Sequence, residues 1–391
     1  MGFMSEYINR KLSAADLESE LLRLISSYNK LRQTFMIVYV AAIGKPIPDL
    51  ALSQDDYYLI HDLLKDVGSN KIDFYIETPG GSGEAAEEVV KCLRNRFEQV
   101  SFVVSGEAKS AGTIMVLSAD EILMTETGSL GPIDAQVKVG RFIVSAHDYM
   151  EWVDGKREEA DKVGKLNPFD ATMIAQISPG EISGVYHALK YAEDLVVDWL
   201  VKYKFKNWIV TETRGVTVTE KMKLNRAQEI AKELTNHAKW RSHGRSIKIR
   251  DLEGIGLKVT RVENDGNLNN VVYRIQTVCR LLFSSTNIYK IFATEKEKAF
   301  KSATPISATQ RIPLKPEPDV VEIETTCPKC AKVYRLYAKF LNDPRIDEDF
   351  KKKGDIAFPK DNKLKCDCGF EIDLGGIRNE IEIKSGKRLI P

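Results

Sequence analysis

Two short stretches combine residue types that could do chemistry. "TPGGSG" follows the apolar run 72–77 and precedes a helical pattern, so it places Gly80 and Gly81 at a strand-to-helix corner. Backbone N–H groups at such a corner lack strand or helix partners and can bind a phosphate or a developing oxyanion. A tight turn without a ligand is the alternative. A phosphate loop of the Walker type is excluded, because no Gly-Lys-Ser/Thr sequence follows.

The second stretch is "AKSAGTIMVLSADEI" at 108–122, where Ser110 opens a helix of small, apolar residues. A serine at a helix N-terminus is commonly only a cap. This serine, however, comes one βα unit after the glycine corner, and the carboxyl ends of parallel strands lie at the same edge of a sheet. The spacing therefore predicts a serine nucleophile beside a pair of oxyanion donors.

The surrounding elements alternate between short β-rich runs and helical patterns. The pattern predicts strands at 35–43, 72–77, 100–105 and 121–125, and helices at 55–67, 84–96 and 110–119. This alternation implies parallel crossovers and a layered α/β sheet. A helix at 11–34 with a candidate cap at Ser13 precedes the first strand, and long helices at 181–204 and 219–239 follow.

Composition limits the class of protein. A chain of 391 residues with 43% hydrophobic content can form one large domain and a smaller one. Its 57 basic and 56 acidic residues leave a net charge of +1, so no global field favours nucleic acid or an anionic membrane. The apolar stretch at 35–43 is too short to cross a bilayer, and no signal-peptide pattern precedes it. We expect a cytoplasmic protein.

The motifs "TPGGSGEAAEEVVKCLR", "AKSAGTIMVLSADEILM" and "TGSLGPIDAQ" resemble, in this order and spacing, those of the Clp/crotonase superfamily. The greatest similarity is to the serine dehydrogenase proteinases, which are related to signal peptide peptidase A. The resemblance covers roughly 20–300 and includes "SHGR", where His243 is expected to serve packing or a subunit contact. It implies an α/β fold with a Clp/crotonase-like ββα superhelix core, additional helices, and an oligomeric serine peptidase.

The resemblance also implies roles for single residues. Ser110 matches the nucleophile, and Gly80 and Gly81 match the corner that supplies oxyanion N–H groups. Lys156 matches the general base, and Ser129 matches a serine that hydrogen-bonds the catalytic lysine. An amine can act as a base near neutral pH only if desolvation lowers its pKa.

Other residues compete for the role of the base. Lys162 and Lys165 lie close to Lys156 in the sequence, and a solvated helix face would explain all three lysines. His147 is the alternative base, as in a Clp-type triad, although the Clp histidine follows its serine more closely. Lys109, directly before the serine, departs from the small or apolar residue expected there.

Four cysteines near the C-terminus have metal-ligand spacing. Cys327 and Cys330 form a CxxC pair, and Cys366 and Cys368 form a CxC pair. Four thiolates from two knuckle turns favour a structural zinc ion, because they leave no open coordination position. Redox cysteines or chance pairing are the alternatives. The zinc ribbon is expected to recruit a protein or nucleic-acid partner, with "KKKG" at 351–354 as a weak basic contact.

The sequence thus predicts an N-terminal helix (1–34), a peptidase domain (35–300), a proline-rich linker (301–320) and a zinc-ribbon module (321–391). The leading hypothesis is a cytosolic serine peptidase without a membrane span that forms homo-oligomers and hydrolyses peptide or protein substrates. The alternative is a catalytically silent oligomeric scaffold whose zinc ribbon binds a partner. A crotonase-like acyl-thioester enzyme is disfavoured, because hydratase chemistry needs no nucleophilic serine.

Overall fold

The computed structural model describes residues 2–139, 142–242, 244–303, 319–385 and 387–390. The chain forms two compact units, Met1–Ala303 and Thr304–Pro391. His243 and most of the predicted linker lie outside the described residues. In the described ranges no helix is both long and apolar enough to cross a membrane.

The N-terminal unit alternates helices and strands. Its helices are α1 (Phe3–Arg10), α2 (Ala14–Arg32), α3 (Gln54–Leu63), α4 (Gly83–Arg96), α5 (Ala111–Leu117), α6 (Ala146–Val163), α7 (Pro168–Ile174), α8 (Pro179–Trp199), α9 (Glu220–Leu234), α10 (His237–Trp240), α11 (Ile249–Gly254) and α12 (Gly266–Ser285). Its strands are β1 (Phe35–Ala41), β2 (Lys71–Glu77), β3 (Gln99–Val104), β4 (Glu107–Ala108), β5 (Glu121–Met124), β6 (Ser129–Leu130), β7 (Gln136–Val139), β8 (Phe142–Ser145), β9 (Thr260–Arg261), β10 (Ile288–Ala293) and β11 (Lys298–Ser302).

Seven of these strands form the main sheet, in the order β11-β10-β1-β2-β3-β5-β9. Within this sheet, β1, β2, β3, β5 and β9 pair in parallel, so the layered α/β sheet predicted from the alternation is confirmed. β10 and β11 add an antiparallel edge beside β1. Helices cover both faces: α3, α4, α5, α8, α9 and α11 pack on one, and α1, α2 and α12 pack on the other.

The central strands are apolar along their whole length, which is typical of strands buried on both faces. On one face, the rings of Tyr39, Phe74 and Phe102 pack across three neighbouring strands with centroids 6.4 and 5.2 Å apart. Burying an aromatic side chain of this size stabilises the fold by about 1.5–3 kcal/mol. This rigid sheet fixes the carboxyl ends of β2 and β3, where the glycine corner and the serine follow.

Several element boundaries differ from the predictions, including the ends of α3 at Leu63 and of α9 at Leu234, and not every helix was predicted. β11 extends to Ser302, two residues into the predicted linker, because Lys301 pairs with Lys290 of β10 and its amine lies 2.7 Å from Asp56. The predicted helix 181–204 is α-helical only to Trp199 and continues as one π-helical turn. The short α1 was not predicted, and it precedes α2.

The C-terminal unit is a small mixed module. Its elements are β12 (Val320–Thr326), β13 (Val333–Lys339), α13 (Pro344–Lys353), β14 (Ile356–Ala357), β15 (Lys363–Lys365), β16 (Glu371–Asp373) and α14 (Gly375–Ser385). β12, β13 and β14 form a three-stranded sheet, and β15 and β16 form a hairpin. The "KKKG" run ends α13: its lysines lie in the last turn, where cations are favourable, and Gly354 takes the left-handed cap.

Candidate active site and metal site

The glycine corner follows β2 and lies directly against the serine. Gly80 and Gly81 have φ angles of +100° and +149°, which favour glycine. A Cβ atom added at Gly80 would lie 2.7 Å from the Cβ of Ser110. The two motifs that the sequence places one βα unit apart therefore meet in space.

Ser110 occupies a strained turn between β4 and α5. Its φ of +49° and ψ of −116° are those of the first central residue of a type II′ turn, a position that favours glycine. The turn is closed by a hydrogen bond from the Gly112 N–H to the Lys109 carbonyl, 2.8 Å long. Such backbone strain costs about 1–3 kcal/mol and is concentrated at functional sites. Nucleophilic serines in other folds stand on comparable strand-to-helix turns.

The N–H groups at this corner are not equivalent. The Gly80 N–H donates to the Thr78 hydroxyl at 3.2 Å, so it is not the free donor that the sequence predicts. Within the described ranges, the N–H groups of Gly81 and Ala111 donate to no protein acceptor. The Ala111 nitrogen lies 3.4 Å from the position of a Gly80 Cβ, so it borders the same space. Sequence reasoning missed Ala111, although the first helical residue after a serine nucleophile has a free N–H by helix geometry.

Close packing holds α5 in place behind the serine. A Cβ atom at Gly112 would lie 2.4 Å from the Cγ2 of Thr78, so only glycine allows the helix to approach. The Thr113 hydroxyl donates to the Ala108 carbonyl at 2.8 Å and accepts the Gly131 N–H at 2.9 Å. The first turn of α5 is thereby fixed from both sides.

Lys156 lies on α6, and its amine forms two ion pairs. Its amine is 2.8 Å from a carboxylate oxygen of Asp170 and 2.9 Å from one of Glu159. The hydrogen bond that its amine donates to Asp170, followed by the one donated to Glu159, raises the pKa of Lys156. A general base would need the opposite shift. No hydrogen bond or ion pair joins Lys156 to Ser110 in the part of the chain that the structure describes.

The remaining predicted residues are also dispersed. His147 lies in the first turn of α6, with its side chain 45% exposed and its Nδ1 3.8 Å from Glu151. Lys162 is exposed and pairs with Glu158, and Lys165 is exposed. The structure therefore brings together the predicted nucleophile and glycine corner, but joins neither to the candidate bases.

Ser129 lies in β6 and is buried. Its hydroxyl is 3.4 Å from the amine of Lys109, the residue that departs from the family pattern. The Lys109 side chain is also buried, and desolvation lowers the pKa of its amine. Ser129, which is predicted to hydrogen-bond the catalytic lysine, thus contacts Lys109 and not Lys156 among the residues that the structure describes.

The four C-terminal cysteines converge on one point. Their Sγ atoms all lie within 4.8 Å of one another, with Cys327 and Cys368 at 3.7 Å and Cys330 and Cys366 at 3.4 Å. A tetrahedral zinc ion with Zn–S bonds of about 2.3 Å would place its sulfur ligands about 3.8 Å apart. The donor set therefore forms a candidate metal site that is compatible with a zinc ribbon. The Tyr334 hydroxyl donates to the Cys366 sulfur at 3.1 Å.

The glycine corner and the strained serine turn lie in a segment that matches a known protein family. Residues 9–164 match the family model of the ClpP-like SDH-type serine proteinases, which confirms the resemblance over this segment. The matched segment contains the glycine corner, Ser110 and Lys156.

Two similar proteins, both uncharacterised, come from Methanocaldococcus jannaschii. One is 25% identical over 244 residues, which cover 61% of this chain and 70% of that protein. The other is 31% identical over 98 residues, which cover 25% of this chain and 34% of that protein. Among solved structures, a mutant of a membrane-bound stomatin-specific protease is 13% identical, covers 57% of this chain and 79% of its own, and has a TM-score of 0.33.

Proposed function

We propose that the N-terminal unit is a serine peptidase that hydrolyses peptide bonds in peptide or protein substrates. The observation that carries the proposal is the contact between the glycine corner and Ser110 in its strained turn. The Ser110 Oγ attacks the peptide carbonyl carbon, and the carbonyl oxygen becomes an oxyanion. The N–H groups of Gly81 and Ala111 stabilise that oxyanion. Its collapse breaks the C–N bond and releases the amine, which takes the proton that the general base removed from the serine; water then hydrolyses the acyl-enzyme, which releases the acid and regenerates Ser110.

Gly80 contributes to this mechanism by its lack of a side chain. Any larger residue would contact the Cβ of Ser110 and the Lys109 carbonyl, which lie 2.7 and 2.9 Å from the Cβ position. The N–H of Gly80 has a different task, since its bond to Thr78 fixes the corner. The corner thus holds its geometry without rearrangement, as preorganised oxyanion stabilisation requires.

Lys156 is the proposed general base, on the strength of the family resemblance. In the structure its amine is held protonated by Asp170 and Glu159, so both ion pairs must open before it can accept the serine proton. Catalytic hydrogen bonds often form only in the complex with substrate. His147, at the start of the same helix, is the second candidate.

Matched lysine variants test the assignment of the base. We expect Lys156→Met to lower kcat/KM by about 10²–10⁴-fold, the usual contribution of a general base. Lys162→Met, on the same helix but exposed, should change it less than about twofold, as surface substitutions do. Wild-type activity in Lys156→Met would remove Lys156 from the mechanism and direct the same test to His147→Gln.

A protein-degradation assay tests the function itself. Fluorescently labelled unfolded casein and a peptide library would be incubated with wild type and with Ser110→Ala, and the products identified by mass spectrometry. We expect cleavage by wild type and none by the variant. Equal cleavage by both would indicate a contaminant, and no cleavage by either would favour the scaffold alternative.

We also propose that the chain forms a homo-oligomer. Large apolar side chains are exposed on α7 and α8, with Phe169 73%, Met173 44% and Tyr186 51% exposed. Phe169 and Met173 are four residues apart on α7 and therefore lie on the same face of that helix, and neighbouring exposed apolar side chains are typical of an interaction surface. Light scattering should give a mass that is a multiple of the chain mass for wild type and a smaller mass for Phe169→Glu. A monomeric wild type would contradict the proposal.

The cysteine cluster is proposed to hold one structural zinc ion through Cys327, Cys330, Cys366 and Cys368. Bound zinc would cross-link β13 and the β15–β16 hairpin and supply folding free energy to the small module. Cysteine pairs with metal-ligand spacing, rather than a disulfide framework, are typical of proteins in a reducing compartment, which supports a cytoplasmic location. A protein or nucleic-acid partner for this module remains a prediction.

A further inference from the structure

Lys109 is an unusual residue to stand beside a nucleophile, because its charged side chain is only 5% exposed. Burying an ammonium group is costly unless it is paired and hydrogen-bonded. Among the residues that the structure describes, no carboxylate lies within ion-pair distance of this amine. The amine is instead surrounded by neutral oxygen atoms.

The contacts of this amine join three segments that are distant in sequence. In β6 it contacts the Ser129 hydroxyl at 3.4 Å and the Leu130 carbonyl at 3.2 Å. In the segment before α11 it contacts the Arg245 carbonyl at 3.1 Å and the Ser246 hydroxyl at 3.0 Å. Four acceptors surround the three N–H donors of an ammonium group, so the amine acts as a donor in this position.

The backbone of Lys109 is held as firmly as its side chain. Its N–H donates to the Thr78 carbonyl at 3.0 Å, and its carbonyl accepts the Gly112 N–H that closes the serine turn. Its side chain packs on Gly131, where an added Cβ would lie 2.9 Å from the Lys109 Cδ. Lys109 is thus the fixed first residue of the turn whose second residue is Ser110.

We propose that Lys109 is a positioning residue for Ser110. The buried ammonium group of Lys109 holds the serine turn against β6 and the Arg245–Ser246 segment. The inference rests on the proposed function for the role of Ser110 as a nucleophile. A strained turn reverts to a relaxed conformation unless its neighbours are fixed. Lys109 provides that fixation through its side chain and its backbone together.

The charge of Lys109 adds a pH dependence to this role. Desolvation lowers the pKa of the amine, nearby Glu107 raises it, and Lys248 lowers it further. Deprotonation removes one N–H donor from the cluster. Reactivity of Ser110 should therefore decline as the pH rises through the pKa of Lys109, which lies below that of the ion-paired Lys156.

Lys248 offers a matched control. Its amine donates to the carbonyls of Glu126, Thr127 and Gly128 at 3.5, 2.8 and 3.0 Å, in the loop that enters β6. It therefore fastens the same region with the same chemistry, but its contacts do not include the serine turn. Because Lys248 is exposed and Lys109 is buried, the labelling rates are compared at equal amounts of folded protein, and a merely structural role of Lys109 would then leave the rate per folded molecule unchanged.

The test compares wild type, Lys109→Met, Lys248→Met and the milder Ser246→Ala in the full-length chain. The rate of fluorophosphonate labelling of Ser110 is measured from pH 6 to 10, and thermal unfolding verifies that each variant is folded. We expect Lys109→Met to lower the rate at least about tenfold, within the range that 1–3 kcal/mol of turn strain implies. The alkaline decline should be absent in this variant. In Lys248→Met it should be present but begin at higher pH, because the Lys248 charge lowers the pKa of Lys109; below the decline its rate should equal that of wild type. Ser246→Ala should be intermediate.

Two labelling results would overturn the inference. One is labelling of Lys109→Met, or of Ser246→Ala if the first variant does not fold, at the wild-type rate. The other is an equal loss in Lys109→Met and Lys248→Met. If wild type itself takes no label, the proposed function fails, and crystal structures of the variants decide the positioning role separately. These structures are compared at the φ angle of Ser110 in Lys109→Met, or in Ser246→Ala if Lys109→Met does not fold. A φ that remains positive would contradict the positioning role. A φ that becomes negative there, but not in Lys248→Met, would support it.

Discussion

The packing behind the nucleophile makes a quantitative prediction about Gly112. In a helix, alanine is favoured over glycine by about 1 kcal/mol. At this position, however, the new Cβ would lie 2.4 Å from the Cγ2 of Thr78, and overpacking of a core costs about 1–3 kcal/mol. Gly112→Ala should therefore be destabilising by up to about 2 kcal/mol, the difference between these two effects.

Thr78→Ser removes the atom that causes the clash and keeps the hydroxyl that accepts the Gly80 N–H. In this background Gly112→Ala should become neutral or stabilising by up to about 1 kcal/mol, so the double-mutant cycle should give a coupling of about 1–3 kcal/mol. Urea unfolding followed by tryptophan fluorescence is a suitable assay, because all four tryptophans lie within Met1–Ala303. An equal effect of Gly112→Ala in both backgrounds would refute the packing argument.

Further predictions concern buried charge and metal. Lys290→Met, which removes one partner of a fully buried ion pair with Asp56, should cost about 3 kcal/mol in urea unfolding, the low end for such pairs, because Lys301 still contacts Asp56; an unchanged midpoint would contradict this. Purified wild type should contain one zinc ion per chain by elemental analysis, and Cys366→Ser should lose it and unfold the C-terminal module; equal zinc content in both would contradict the site. Burial lowers the pKa of Lys204 to about 8 in the folded protein. Between pH 8 and 10 the amine is therefore more protonated in the unfolded chain than in the folded one, so the stability of wild type relative to Lys204→Met should rise with increasing pH. A pH-independent difference between those two proteins would be the opposing result.

The local elements around the site could be predicted because their signals are local. Each of these elements is indicated by consecutive residues: β1, β2 and β3 by apolar runs, the corner by its glycines, and α5 by small residues. The parallel order then followed from the alternation of strands and helices. The candidate metal site could also be predicted, because the spacing within each cysteine pair is typical of metal ligands.

The electrostatic environment of the lysines could not be predicted in the same way. Lys109 was noticed as a departure, but its burial depends on Arg245 and Ser246, which are more than a hundred residues away. Lys156 was predicted to be the general base from the resemblance. Its ion pair with Asp170 depends on how α6 and α7 pack, which the sequence does not show. The Gly80 N–H was predicted to be free because its acceptor is a side-chain hydroxyl, which no backbone pattern reveals.

The most direct test of the account is intact-mass analysis after treatment with a fluorophosphonate, followed by peptide mapping of the adduct. The account predicts a single adduct on wild type, mapped to Ser110 and absent from Ser110→Ala. An adduct at another residue, or no adduct on a folded wild-type protein, would contradict the claim that this strained serine is an activated nucleophile.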